Sequence, residues 1–321
     1  MGYPRRLYVP PNTPGVYHCV SRCVRRAFLC GSDPLTGRSF AHRKQWIENR
    51  ILELATIFAV AVHAYAVMSN HFHLVVAIDP STTRKWSDEE VARRWLMLSR
   101  HAATSESLMN CRVAALAAQP ERLETLRERL GNLSWFMRYL NETIARRANR
   151  EDDCTGRFWE GRFVCQALLD DSAVLGAMVY VDLNPVRARI AATPEGSRHT
   201  SVRRRARVRK AHSQQLQPVA SSIRSQLPFM MADQYLTLVD WTGRSLHAGK
   251  TGSIPNDVAP ILQRLNMCSR QWLVQVPATE SRYWRAIGTT DAMIERANGA
   301  GLKWLQGIGT ARALARLHEV T

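Results

Sequence analysis

Two short segments carry residue types at spacings that phosphate chemistry needs. In "AVMSNHFHLVVAI", His71 and His73 stand two apart at the head of an apolar run. If that run is a strand, both imidazoles point to one face and can share an ion, while Phe72 points to the other. In "MVYVDLNPVRARI", Tyr180 and Asn184 are four apart, one helical turn, with Arg187 and Arg189 just beyond. A His-x-His-x-His phosphohydrolase site would need histidine where Val75 stands. Two metal chemistries stay open for the pair. One is a tetrahedral zinc site with His63 as a further ligand. The other is a nuclease site, in which two imidazoles and an oxygen donor hold Mg²⁺ or Mn²⁺ against a scissile phosphate. The second segment favours the nuclease, because a tyrosine hydroxyl can attack a polarised phosphodiester and conserve its energy in a covalent phosphotyrosine. Against these stand the plainer readings: polar histidines at a sheet edge, and Tyr180 as a core aromatic.

For these residues to meet, the intervening chain must bring a strand and a helix together. "GVYHCVSRCV" alternates as a strand, and "RKQWIENRILELATIFAV" sets Trp46, Ile47, Ile51, Leu52, Leu54 and Ile57 in a helical stripe. "VHAYAVMSN" and "HFHLVVAI" read as two strands joined by a turn at Met68, Ser69 and Asn70. Charged, Ala-rich helical segments follow between Ser87 and Gln119. "NLSWFMRYLNETIARRAN" is then a helix with Trp135, Phe136, Tyr139, Leu140 and Ile144 on its apolar side. "CTGRFWEGRFVCQAL" reads as a loop entering a strand. "DDSAVLGAMVYVDLNP" is a helix capped by Asp171 or Ser172 and ending near Pro185. The order predicts an α+β chain with a ferredoxin-like βαββαβ core, extra helices and a trailing helix.

Beyond that core the composition shifts. The spacing divides the chain into a core over 1–200, a basic and polar linker or mobile arm over 201–222, and a C-terminal extension over 223–321. Within the extension, "YLTLVDWTGRSLHAGKTGSIP" predicts a small β element, and helical spacing follows around Trp272, Trp284 and Trp304.

Charge points to the partner. Lys plus Arg number 44 against 27 Asp plus Glu, a formal +17 over 321 residues, which favours phosphate-rich polymers first and anionic membranes second. No apolar run approaches the roughly 20 residues of a membrane span, and the first residues lack a signal-peptide core, so a soluble, cytoplasmic protein without a membrane partner is expected. Seven cysteines, odd in number and without paired metal spacing, read as reduced thiols. The basic groups expected at a polyanion are Arg25 and Arg26, Arg146 and Arg147, Arg157 and Arg162, Arg187, and the run from Arg203, Arg204 and Arg205 to Lys210.

"SNHFHLVV" followed about a hundred residues on by "YVDLNPVRA" resembles the HUH-type single-tyrosine transposases, especially the REP-associated tyrosine transposases, and "TGRFWEGRF" resembles the stretch before their tyrosine helix. The resemblance spans roughly Arg5 to Thr200. It implies His71 and His73 as metal ligands, Asn184 as the third ligand and Tyr180 as the nucleophile, with Mg²⁺ or Mn²⁺ as cofactor. It also implies single-stranded or hairpin DNA as partner, at repetitive extragenic palindromes, and cleavage and rejoining through a 5′-phosphotyrosine by a monomer or homodimer. A domesticated hairpin-binding protein that has lost turnover is the alternative. Nothing in that family core accounts for residues after about Ser201.

Overall fold

The computed structural model describes residues 5–24, 30–32, 37–99, 105–208, 214–224, 227, 230–248, 258–280 and 285–317. Strands β1 (Gly15–Arg22), β2 (Val60–Val67), β3 (His71–Ile78), β4 (Val164–Leu168), β5 (Ala220–Ser221) and β6 (Ala286–Ile287) form one sheet in the order β5-β2-β3-β1-β4-β6. Every pair is antiparallel except β4 with β6. The helices are α1 (Arg43–Ile57), α2 (Pro80–Arg84), α3 (Asp88–Met97), α4 (Glu106–Ala117), α5 (Pro120–Leu130), α6 (Leu133–Glu151) and α7 (Asp171–Arg187). After them come α8 (Ser201–Arg207), α9 (Ala232–Ala248), α10 (Ala259–Arg264), α11 (Ser269–Ala278), α12 (Thr290–Gly299) and α13 (Ile308–Arg316). The succession β1-α1-β2-β3-α6-β4 with strand order 2-3-1-4 is the expected ferredoxin-like core. Helices α2 to α5 are inserted before α6, and α7 trails.

Side-chain alternation along the strands divides the interior into two layers. Tyr17, Cys19, Phe72, Leu74 and Val76 face α1 and α6, packing with Ile47, Ile51, Leu54, Phe136, Leu140 and Ile144. On the other face, Ala64, Ala66 and Val75 pack against Ala173, Ala177 and Val181 of α7. Tyr235 and Leu238 of α9, with Trp272 and Val276 of α11, close the far side of α7. That helix is apolar nearly all round because it is covered on both sides. Gly243 allows the close approach of α9: a Cβ there would stand 2.9 Å from Leu183 Cδ2.

Within α7 the buried charge is Asp182. Its carboxylate accepts hydrogen bonds from Ser201 Oγ, from Val202 N at 2.9 Å and from Tyr235 Oη at 2.6 Å, and Arg205 Nη1 lies 3.9 Å away. Burial raises the carboxyl pKa, while Arg205 and these hydrogen bonds oppose the rise.

Several expectations change here. The described residues of the 201–222 stretch are not a free arm: they hold α8, then β5 pairing with the edge of β2, while 209–213 lie outside the described residues. Arg205, expected at DNA, is turned inward, 8% exposed, and donates to the carbonyls of His63 at 2.6 Å and Gln217 at 3.2 Å. The expected β element after Tyr235 is helix α9. Its alternation "YLTLV" misleads, since the buried set Tyr235, Leu238, Val239 and Thr242 follows a helical period. Helix α7 is capped by Asp170, which accepts from Ala173 N at 2.9 Å, one residue earlier than expected. It continues through Pro185 to Arg187. Arg25, Arg26, Lys210 and Trp284 lie outside the described residues. Among the described residues, no helix is long and apolar enough to cross a membrane.

Asp182→Ala leaves Ser201 and Tyr235 without their shared acceptor and Arg205 without the carboxylate 3.9 Å away. It should lower unfolding free energy by about 3–5 kcal/mol, the cost of breaking a buried charged pair. Urea denaturation of the variant measures this, and a loss below 1 kcal/mol would show that the cluster does not hold α7 in place.

Candidate active site on the helix-covered face of the sheet

Strand register decides which side chains share the face under α7. His73 is directly opposite Val20 on β1 and Ala66 on β2, His71 is opposite Arg22, and His18 is opposite both Val75 and Gln166 of β4. His71, His73, His18, Gln166 and Arg22 therefore project on one side. Tyr180 and Asn184, one helical turn apart, are presented to that side by α7. The Tyr180 ring lies edge-on to His73 at 5.6 Å and to His18 at 5.9 Å, and His71 and His73 are 4.8 Å apart.

The orientation assigned to the Gln166 and Asn70 amides sets which nitrogen of each ring carries the proton. Gln166 Oε1 only accepts, so His18 Nδ1, at 2.6 Å, is the donor, and His18 Nε2 is left with a lone pair. That lone pair accepts from His73 Nδ1 at 3.0 Å, which leaves His73 Nε2 unprotonated. Asn184 Nδ2 sits 3.4 Å from this Nε2. His71 Nδ1 donates to Asn70 Oδ1 at 2.5 Å, so its Nε2 also bears a lone pair. Both histidines thus bear a lone pair on Nε2, with Nδ1 engaged by a polar partner.

Burial keeps the rings neutral. It depresses His18 to about 4 against the Gln166 hydrogen bond, depresses His71 to about 4 with help from Arg22, and depresses His73 strongly, because a proton there would meet the neighbouring His18 and His71 rings and the Arg22 and Arg187 charges. Tyr180, 2% exposed, has its hydroxyl pushed up to about 12 by burial and by Glu280. Hydrogen bonds to Asn184 and Arg187 and the Arg187 charge oppose the rise. The Arg187 guanidinium lies 5.2 Å from the centre of the Tyr180 ring and pairs with Glu280 at 2.9 Å.

Among the described residues, no three His, Cys, Asp or Glu side chains gather as ligands. A cation held by the His71 and His73 Nε2 atoms therefore takes further donors of another kind, and the Asn184 amide is the polar group at hand. Two imidazole nitrogens and an amide oxygen make a borderline donor set, closer to what a transition-metal divalent ion takes than the oxygen cage of Mg²⁺. His63, the alternative ligand, sits in the β2 bulge beside Arg205, with its pKa depressed to about 3 by burial and that charge.

The remaining sequence candidates separate. Tyr139 belongs to α6 on the opposite face, among Trp95, Trp135 and Phe58. Arg157 and Arg162 are exposed on the loop that zips against the end of β1, where Glu160 N donates to Arg22 O at 2.9 Å. Arg203 and Arg204 lie on α8, away from the histidines and beside the end of α7. His18, Gln166 and Arg22 went unnoticed in the sequence. "GVYHCVSR" gives His18 and Arg22 equal parity, but only register joins them to His71 and His73.

No protein-family model matches the chain, and no curated protein matches it. The chain is similar to a solved structure of the REP-associated tyrosine transposase bound to a REP hairpin, at 13% identity and a TM-score of 0.38, over 70% of this chain and 95% of that chain.

The depressed histidines set an acid limit on stability. The unfolded chain protonates its histidines near 6.5, whereas folded His18 and His71 wait until about 4 and His63 until about 3. Their contribution is complete above 6.5 and is lost as pH falls through that window, at about 1.4 kcal/mol per ring per unit. Urea midpoints should fall steeply between pH 7 and 5, and a flat profile would show that these rings titrate normally.

Proposed function

We propose that the chain is a divalent-ion-dependent DNA strand-transfer enzyme, in which Tyr180 forms a covalent bond with a DNA phosphate at a hairpin-associated site. One observation carries this reading: α7 sets the Tyr180 ring and the Asn184 amide against His73 on a face where His71 and His73 both present Nε2 lone pairs. The sequence resemblance to the HUH-type transposases supports the same assignment.

In the reaction, the Tyr180 oxygen attacks phosphorus and the bond from phosphorus to the 3′-oxygen breaks. The tyrosine loses its proton, the 3′-oxygen gains one, and a 5′-phosphotyrosine remains; rejoining reverses each change. His71, His73 and Asn184 would hold a divalent ion, which would supply Lewis-acid polarisation of the scissile phosphate. Gln166 and His18 hold the His73 ring in its ligating tautomer. Arg22, opposite His71 on the same face, adds positive charge where a phosphate would sit. Arg187 covers the tyrosine ring and is engaged by Glu280, so a phosphate that reaches Tyr180 displaces this pair and takes the guanidinium as its own counter-charge.

The test is a denaturing gel of labelled single-stranded hairpin DNA with Mg²⁺, Mn²⁺ or EDTA. Wild type should give a protein-DNA adduct only with the ion. Tyr180→Phe, which keeps the ring, should fold, bind the hairpin and give no adduct, with cleavage down at least about 10³-fold. His71→Ala and His73→Ala should lose ion-dependent cleavage and keep most hairpin binding. An adduct that persists in Tyr180→Phe would refute the nucleophile. Hairpin binding by wild type without any adduct would favour the domesticated binder.

A further inference from the structure

A large cleft outside the site lies past the end of α7. It encloses about 1130 Å³ between the first turns of α1, the segment after α7, and α8. Lys44 comes from α1, Arg198 from the connecting segment, and Arg203, Arg204 and Arg207 from α8. One acidic side chain, Glu48, lines it, and its carboxylate is committed to Tyr65 Oη at 2.6 Å and His199 Nδ1 at 2.7 Å. Arg203 is partly tied down, donating to Gly196 O at 3.2 Å. Arg198, Arg204 and Arg207 are exposed and face an opening they share.

That charge distribution narrows the occupant. Like charges crowded this closely repel unless a polyanion relieves them. The volume lies above the usual 300–1,000 Å³ of small-ligand pockets, and the charged side chains on these walls are five cations against one acid. Among the described residues, no Phe, Tyr or Trp lines the cleft. Recognition of unpaired bases relies on such rings as stacking platforms. The two ring side chains present, His42 and His199, are each engaged by a carboxylate, Glu151 at 2.6 Å and Glu48 at 2.7 Å, so the surface offers mainly guanidinium groups and reads phosphates, which a base-paired nucleic acid presents with its bases turned inward.

We propose that this cleft seats base-paired DNA by its backbone phosphates, with Arg198, Arg204 and Arg207 as the principal contacts. The assignment rests on the reading of the chain as a DNA strand-transfer protein and adds the paired element that such a protein holds beside its cleavage site. Position supports it: Pro185, Ile190 and Ala191 form one border of the cleft, and Pro185 is five residues along α7 from Tyr180, about 7.5 Å of helix. A strand leaving the paired segment at that border is delivered to the tyrosine.

The experiment follows binding of the full chain, by fluorescence anisotropy over a range of salt, to blunt duplex DNA, to the hairpin and to oligo-dT of equal length. For the variant R198Q/R204Q/R207Q, the slope of log affinity against log salt should flatten on duplex and hairpin by roughly 0.9 per lost contact. Oligo-dT binding should change little. An unchanged slope on duplex, or an equal loss on oligo-dT, would overturn the proposal. If the triple variant does not fold, R198Q/R207Q keeps the same readout with two expected contacts. Duplex binding that depends on the cleft in a protein that forms no adduct would leave the cleft standing and sink the strand-transfer reading. Adduct formation with no cleft dependence would do the reverse.

Discussion

Asp182 is the constraint on which the site's geometry rests. Residues two apart on a helix of 3.6 residues per turn point about 200° apart, so Asp182 faces away from the direction shared by Tyr180 and Asn184. On its side it is held by Ser201, Val202 and Tyr235, with Arg205 nearby. Any rotation of α7 that carried Tyr180 away from His73 would pull this carboxylate out of its hydrogen bonds. The polar cluster on the far side of the helix thereby fixes the angle at which the tyrosine meets the sheet. It also explains why segments after Ser201 belong to the architecture of the site: α8 and α9 supply three of the groups that hold α7.

The sheet side has a matching device. The chain Gln166–His18–His73 runs across β4, β1 and β3 and ends on a lone pair directed at Asn184. A buried imidazole with no such partner could carry its proton on either nitrogen. Here the amide oxygen of Gln166 removes the choice, and burial removes the charged form. Rigid neutral rings are what a metal-ligating pair requires, and the arrangement needs no movement to reach that state.

The parts of this that were legible in the sequence are those with a local period. Alternation in "HFHLVVAI" put His71 and His73 on one face, and the four-residue spacing of Tyr180 and Asn184 put both on one side of α7. The ferredoxin-like order followed from the succession of periods. What was not legible depends on pairing between distant segments. His18 and Gln166 join the site through the β3-β1-β4 register, which no local pattern encodes. "YLTLV" at the start of α9 alternates like a strand, and tertiary packing against α7 selects the helix. The nearly all-apolar α7 did hold a clue, since a helix with so little polar face must be covered on both sides. Positive charge was equally ambiguous. Arg43, which pairs with Glu151 and Asp152, and Arg205 are buried structural cations, while Arg204 and Arg207 in the same basic run face outward. Composition counts all of them alike.

The central claim is that His71 and His73 both carry their protons on Nδ1 and present Nε2 lone pairs on the face covered by α7. Long-range ¹H–¹⁵N correlation spectra of the imidazoles at neutral pH, before and after addition of Mn²⁺, test it most directly. The account predicts that His18, His71 and His73 are all Nδ1–H tautomers, and that Mn²⁺ broadens His71 and His73 ahead of every other histidine. Nε2–H tautomers at His71 or His73, or broadening that begins elsewhere, would contradict it.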